Sequence, residues 1–573
     1  MAPPTPEAMG PPAEHAAALP VEPSSPDSLH LGSGVARTAP SPLARNFAVV
    51  VGSTGLSRIV GFAREAGAAA LFGAQPIGEA LTLAFQVPNF LRRLLGEGAL
   101  TAAFLPMFAK ADEGADRSAA RRLVAVVGGA QIAVLAAIAV VGTLACLVLP
   151  PSALATWVEP DRASLVLRYL AILAPYVLPV CLYAFAMAIL NARARFLLPA
   201  LAPVVQNLIS LGALGLAWGI AGGFGDPRRM TPEQLDLGAR IVSFGLLGGG
   251  CAMCLWCLPA LRAEGMFVRP RIELAAPEFR AFVAKLAPAL LAMGVVQVSV
   301  LLSSCIAFVA VGNGANVHLN CAARLFQLPQ GMIGAAVATA AFPHLARSWA
   351  GGRIAEVRTE LDRGLALATF LGAPAAAGLL ALALPIVTLL FGHGRFTPRD
   401  CEETARAVVA FAISIPILTV VPLLVRVFYA AGDTRTPSWI AAGLVVGDVG
   451  LAYLLGRRFG AAGIATATTV TAIANFTLLV ALARRFGVPR SAMLAKRVAK
   501  IVLLSLACGL AAAAVRMTFE AIGGAAPDRG RASVLAEVVA GVGAGLAVYL
   551  VGAAALRVPE LAEFRALFTR RRR

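Results

Sequence analysis

Fourteen stretches of this chain are apolar for roughly 18 residues or more, long enough to cross a hydrocarbon layer of about 30 Å as helices. They run over approximately 45–66, 78–107, 123–149, 165–190, 197–221, 238–261, 282–311, 316–342, 364–391, 404–430, 437–455, 461–483, 496–515 and 533–556. In lipid every backbone N–H and C=O must be satisfied within the protein, and long non-alternating runs do not suit barrel strands, so these segments are expected to be helices. Only 14% of the 573 residues are charged, against about 25% in a soluble protein, and the mean hydropathy is +0.78. A soluble single-domain fold is excluded. The expected class is all-α and polytopic, and no loop is long enough for an extramembrane domain with its own core.

A net charge of +18 suggests a nucleic-acid partner until the charges are placed. Roughly 30 of the 49 Lys and Arg fall in the tails and alternate loops, for example Arg121, Arg122, Arg269, Arg271, Arg353, Arg358, Arg484, Arg485 and the run from Arg570 to Arg573. That asymmetry is the positive-inside pattern; it predicts both termini in the cytoplasm and no nucleic-acid role. Residues 1–44 are rich in Pro, Ala and Ser, lack the apolar centre of a signal peptide, and are expected to form a disordered cytoplasmic tail.

The chain also repeats itself. Phe85-Gln86-Val87-Pro88 followed by Thr101-Ala102-Ala103-Phe104 and Pro106 recurs as Phe326-Gln327-Leu328-Pro329, Thr339-Ala340-Ala341-Phe342 and Pro343. Arg195 and Pro199 find echoes in Arg435 and Pro437 at a similar offset of about 240 residues. Six spans per copy give both copies one orientation, hence two parallel six-helix lobes, 45–270 and 271–490, around a central cavity. Residues 491–573 hold two extra helices and a basic tail outside the repeat.

The first copy carries charge where the second is apolar. Arg58, Arg64 and Glu65 fall in span one, Glu79 opens span two, Arg92, Arg93 and Glu97 follow within it, and Arg324 stands alone in span eight. Each central Arg costs about 2.5–3.5 kcal/mol on an insertion scale, so such a group needs partners or a wet cavity. Arg93 and Glu97, four apart, could pair, and Arg64 beside Glu65 could snorkel from a helix end. Arg92 lies midway along its span and Arg324 has no acid nearby in sequence, which points to a ligand that supplies the negative charge. The planar guanidinium fork suits phosphate.

Ser57-Arg58-Ile59-Val60-Gly61-Phe62-Ala63-Arg64-Glu65, Phe72-Gly73-Ala74 and Val87-Pro88-Asn89-Phe90-Leu91-Arg92-Arg93-Leu94-Leu95-Gly96-Glu97-Gly98-Ala99 resemble the MurJ/MviN family of lipid II flippases. So do Phe104-Leu105-Pro106, Ala323-Arg324-Leu325-Phe326-Gln327-Leu328-Pro329, Gly394-Arg395-Phe396-Thr397 and Gly432-Asp433-Thr434-Arg435-Thr436-Pro437. The resemblance implies the fold of the multidrug/oligosaccharidyl-lipid/polysaccharide exporter superfamily, a bacterial inner-membrane location, and lipid II as substrate. It implies a substrate-binding set of Arg58, Arg64, Arg92, Arg324, Glu97 and Glu79, and a lipid-tail groove at the two C-terminal spans. Relatives often have Asp immediately before the span-eight Arg, where this chain has Ala323, which leaves Arg324 freer for substrate. Others hold sodium between spans seven, eleven and twelve; Asp448 and Thr468 could contribute here, but the expected second acid is Ala452, so sodium coupling is doubtful.

No cofactor is expected. Cys251, Cys254 and Cys257 mimic a metal motif but sit in an apolar span without a neighbouring His or acid, and no nucleotide-binding loop is present. Membrane lipids, and cell-wall synthesis and division proteins, are the candidate partners beside the substrate. The competing functions are an O-antigen-type flippase or multidrug exporter of the same fold, and a membrane-embedded glycosyltransferase. A cation exporter would want acids in place of these arginines, and the enzyme a catalytic carboxylate with a larger outer loop.

Overall fold

Proline starts the helices and glycine breaks them. Pro76, Pro160, Pro232, Pro277 and Pro398 each open a helix in its first turn, where a missing N–H costs nothing and the fixed φ is already helical. A computed structural model describes residues 42–569, apart from 97, 115–116 and 487–491. The tail expected at 1–44 therefore lies almost wholly outside the described residues. In chain order the helices are α1 (Pro42–Phe72), α2 (Pro76–Leu91), α3 (Ala99–Asp112), α4 (Ser118–Val148), α5 (Pro160–Leu173), α6 (Val177–Ala192), α7 (Leu197–Gly222) and α8 (Pro232–Ala263). There follow α9 (Pro277–Ile306), α10 (Ala315–Ala350), α11 (Ile354–Phe391), α12 (Pro398–Ala412), α13 (Ile415–Ala430), α14 (Arg435–Ala483), α15 (Ala492–Gly523), α16 (Arg531–Ala555) and α17 (Pro559–Thr569). No strand occurs among the described residues.

Among the described residues the fourteen apolar segments lie largely on helical backbone, but several are broken and not continuous. Span two is not one helix: Arg92–Gly96 wind as a π-helix between α2 and α3, and Gly98 takes φ 31°. Gly96 faces Cys181 so closely that a Cβ would come within 3.1 Å of its sulfur, which fixes the break against α6. Spans eleven and twelve run on as α14, broken at Gly460, whose φ of 65° and ψ of −146° an L side chain rarely adopts. By length and apolar composition alone, eight helices among the described residues can cross a membrane, or nine if α12 and α13, bent by 40°, form one span. The long helices α1 and α10 are not among them; they carry Arg58, Arg64 and Glu65, and Arg324.

Two of the apolar clusters draw mainly, though not wholly, on one sequence half each. One apolar cluster draws Phe104, Phe108, Tyr176, Phe185, Met253 and Cys257 from the first half, and another draws Phe326, Phe391, Phe411 and Ile415 from the second, with Phe326 stacked on Phe411 at 4.4 Å. α15 and α16 pack on each other and on α11.

Candidate functional site: an arginine-lined cavity

Helical spacing brings the charged residues of α1 onto neighbouring turns, and the π-turn in span two carries two more beside them. Arg58, Arg64, Glu65, Arg92, Arg93 and Arg324 all line one cavity of about 530 Å³. Its remaining wall is largely polar and includes Asn89, Tyr176, Gln206, Asn207 and Gln327. Five arginines against one glutamate leave a net charge of +4.

Glu65 sits at the centre of the charge network. Its Oε1 accepts from Arg64 Nη2 at 2.6 Å and from Arg324 Nη2 at 3.0 Å, joining α1 to α10. This corrects the expectation that Arg324 lacks a partner: the acid comes from span one, 259 residues away in sequence. The Arg64 guanidinium also lies 5.7 Å from the centroid of the Phe85 ring, a cation–π contact. Arg92 Nε donates to Asn89 Oδ1 at 2.9 Å, one turn back. Arg93 reaches Gln297 on α9 at 3.5 Å, while Glu97, its expected partner, lies outside the described residues. Arg58 is exposed to the cavity and lies along the backbone of α10, where a Cβ on Gly331 would be 3.5 Å from its Nη2.

Glu79 is not in this cavity. It is buried at the start of α2, where its Oε2 accepts from Arg162 of α5 at 2.9 Å and its Oε1 from the Asn316 N–H of α10 at 3.4 Å. Arg162 also donates to the Phe308 carbonyl at 2.9 Å and stacks 4.4 Å above the Phe308 ring. At the same end of α10, His318 Nε2 lies 2.9 Å from Asp400 Oδ1. Arg395 places Nη1 within 3.0–3.4 Å of the Pro227, Arg228 and Met230 carbonyls and donates its backbone N–H to Ala70. The close approach needs glycine: a Cβ on Gly394, whose φ is 58°, would be 2.2 Å from the Ala70 oxygen. The Phe72-Gly73-Ala74 and Gly394-Arg395-Phe396 motifs therefore meet, bonding the two halves of the chain together at this end.

Asp448 and Thr468 line an adjoining cavity of about 320 Å³. Asp448 accepts from Ser299 of α9, and from Thr471 at 3.2 Å. Thr468 bonds its own helix at Ile464, so Thr471 and Ser299 are the hydroxyls that reach the acid, and Ala452 is wholly buried. Sequence reasoning missed these two residues because a lone Ser or Thr in an apolar span usually bonds its own backbone. It also missed Arg162 and the amide wall of the arginine cavity. The Arg162–Glu79 pairing has no signal in local spacing. Of the three span-six cysteines, Cys251 is exposed, Cys254 half-buried and Cys257 buried.

An apolar cavity of about 430 Å³ lies between α11, α15, α16 and α17, lined by Phe370, Leu379, Leu382, Leu546, Leu550 and Phe564 among others. Gly541 abuts the Leu382 side chain, at the kink where α11 leaves helical geometry.

The sequence profile described as Lipid II flippase MurJ matches residues 68–523. A probable lipid II flippase MurJ of Rhizobium meliloti (strain 1021) is 32% identical over 515 residues, covering 88% of this chain and 92% of the relative. The lipid II flippase MurJ of Burkholderia cenocepacia is 31% identical over 452 residues, covering 78% and 84%. In fold the chain is similar to a solved lipid II flippase MurJ in an inward closed conformation, with a TM-score of 0.70, 21% identity, and coverage of 88% and 98%. It is also similar to an inward-facing multidrug resistance MATE family transporter of the MOP superfamily, with a TM-score of 0.60, 15% identity, and coverage of 75% and 97%. The chain belongs to the lipid II flippase MurJ family.

Proposed function

We propose that this multi-pass membrane protein is a transporter that carries lipid II from the cytoplasmic to the periplasmic leaflet by alternating access, breaking no bond. The observation that carries the chemistry is the convergence of Arg58, Arg64, Arg92 and Arg324, from three separate chain segments, on one cavity. A pyrophosphate brings the negative charge that a +4 site lacks, and bidentate guanidinium bonds give it a defined position. Glu65 holds Arg64 and Arg324 while substrate is absent; an arriving pyrophosphate competes with the carboxylate for both. Arg93, bonded toward α9, serves as a second-rank contact beside Arg92.

The two sequence halves, 45–270 and 271–490, act as the lobes of the cycle, and the contacts of Glu79 with Asn316, of Arg162 with Phe308 and of Arg395 with Ala70 form the outer closure that must part for release. Glu79 then acts in gating and not at the pyrophosphate. The α15–α16 pair, residues 491–573 with the tail, supplies the groove for the polyprenyl chain; its apolar cavity supports this assignment. The positive-inside pattern and the helical backbone of the apolar segments support a reading of fourteen crossings with both termini cytoplasmic. A multidrug exporter of organic cations is the weaker alternative, since its substrate would meet net repulsion in a cavity with one acid and five arginines.

Depletion of the protein, followed by leaflet-resolved quantitation of lipid II, tests the function. Accumulation on the cytoplasmic leaflet is expected. Unchanged leaflet distribution, with loss of a different exported lipid-linked sugar, would move the assignment to that substrate.

A further inference from the structure

A second set of arginines, unused by the central cavity, lines a cavity of its own. It has a volume of about 990 Å³ and lies between the end of α3, the start of α4 and the segment joining α8 to α9. Arg117, Arg121, Arg122, Arg269 and Arg271 line it, with Glu278 as the acid in its wall. Arg121 Nε donates to the Gly265 carbonyl at 3.1 Å, and Arg122 pairs with Glu278 at 2.9 Å and Glu273 at 3.6 Å. Arg271 approaches Glu273 at 3.7 Å, and Arg117 and Arg269 have no ion pair with a described residue. Five arginines less those two acids leave +3.

The wall is held in place. The Arg271 N–H donates to the Ala125 carbonyl at 2.9 Å, laying the segment along α4. Gly129 makes room for it: a Cβ there would lie 2.3 Å from the Arg271 carbonyl oxygen. No acid stands in the first turn of α4, so the free N–H groups of that turn add positive potential.

Depth and rim identify the occupant. The apolar run of α4 begins at Leu123, directly after Arg121 and Arg122, so the cavity lies where hydrocarbon gives way to headgroups. Met107, Ala111, Leu123 and Val268 give it an apolar side. Phe267, Ile272 and Leu274, which flank its arginines in the α8–α9 segment, are 52%, 68% and 55% exposed. Such side chains on a membrane protein belong against acyl chains, and a soluble anion would have no use for them. We propose that this cavity binds the phosphodiester headgroup of an anionic membrane phospholipid, with Arg117, Arg269 and Arg271 as its principal contacts. The site is separate from the pyrophosphate site and does not depend on it.

The test uses the full chain in phosphatidylcholine vesicles containing a minority of phosphatidylglycerol, with spin-labelled phosphatidylglycerol as probe and spin-labelled phosphatidylcholine as reference. The wild type should show a preference for the phosphatidylglycerol label that weakens as salt rises. The Arg117→Ala, Arg269→Ala, Arg271→Ala variant should lower the preference about tenfold or more, given about 1 kcal/mol per basic residue at such a surface. The matching triple Lys variant should keep most of it, and Arg92→Ala all of it. An unchanged preference in the triple Ala variant would overturn the proposal, as would a wild type with none. Displacement of the label by inorganic phosphate at equal concentration would reassign the cavity to a soluble anion.

Discussion

Arg324→Ala and Arg162→Ala remove one guanidinium each, and the structure predicts opposite consequences. Arg324 is about one-third exposed in the cavity and shares Glu65 with Arg64, which remains 2.6 Å from the carboxylate after the change. The folding cost should resemble that of a partly solvated ion pair, about 0–1 kcal/mol. Losing one charge-assisted hydrogen bond to a pyrophosphate costs about 1.5–3 kcal/mol, or roughly tenfold to a hundredfold in affinity. Arg162 is the reverse case. Glu79 is 2% exposed, and without Arg162 its carboxylate stays buried with no ion-pair partner among the described residues. Breaking a buried pair by deleting one member costs about 3–5 kcal/mol, a large share of a protein's stability. Thermal unfolding of both detergent-purified variants, with binding of a lipid pyrophosphate to each, separates the effects. Arg324→Ala should keep its midpoint and lose affinity, and Arg162→Ala should lose its midpoint. Equal destabilisation of both would refute the division of these arginines into ligand-facing and structural.

Three further outcomes are expected. Gly394→Ala, forced into contact with the Ala70 carbonyl at a left-handed φ, should weaken the outer closure and raise labelling of a cysteine placed beside Arg395 by a membrane-impermeant reagent; unchanged labelling would count against a closure there. Truncation from about residue 491 should leave a folded twelve-helix core in the membrane that no longer flips, and normal complementation by that truncation would refute the tail-groove assignment. Reporter fusions at 226, 396 and 525 should read periplasmic and those at 112, 355 and 490 cytoplasmic; agreement between 490 and 525 would remove the last helix pair.

The helices were legible because lipid leaves the backbone little choice, and apolar runs between Pro and Gly mark them. The arginine cavity was legible too, since charge within apolar spans is costly enough to need a purpose. What spacing could not show was partnership. Arg324 finds Glu65 across 259 residues, and Glu79 finds Arg162 across 83, contacts set only when helices pack. The break at Arg92–Gly96 was hidden for a related reason: Gly96 and Gly98 are common in membrane helices, and only the approach of Cys181 turns them into a discontinuity. Ser299 and Thr471 became visible once α9 and α14 stood side by side around Asp448.

The central claim is that the arginine cavity grips the pyrophosphate of lipid II. Its most direct test is leaflet-resolved lipid II in depleted cells complemented by the Arg92→Ala, Arg324→Ala double variant, with its membrane abundance measured alongside. Normal abundance with lipid II retained on the cytoplasmic leaflet is the predicted result. Full flipping by the double variant would contradict the mechanism while leaving the family and the fold in place.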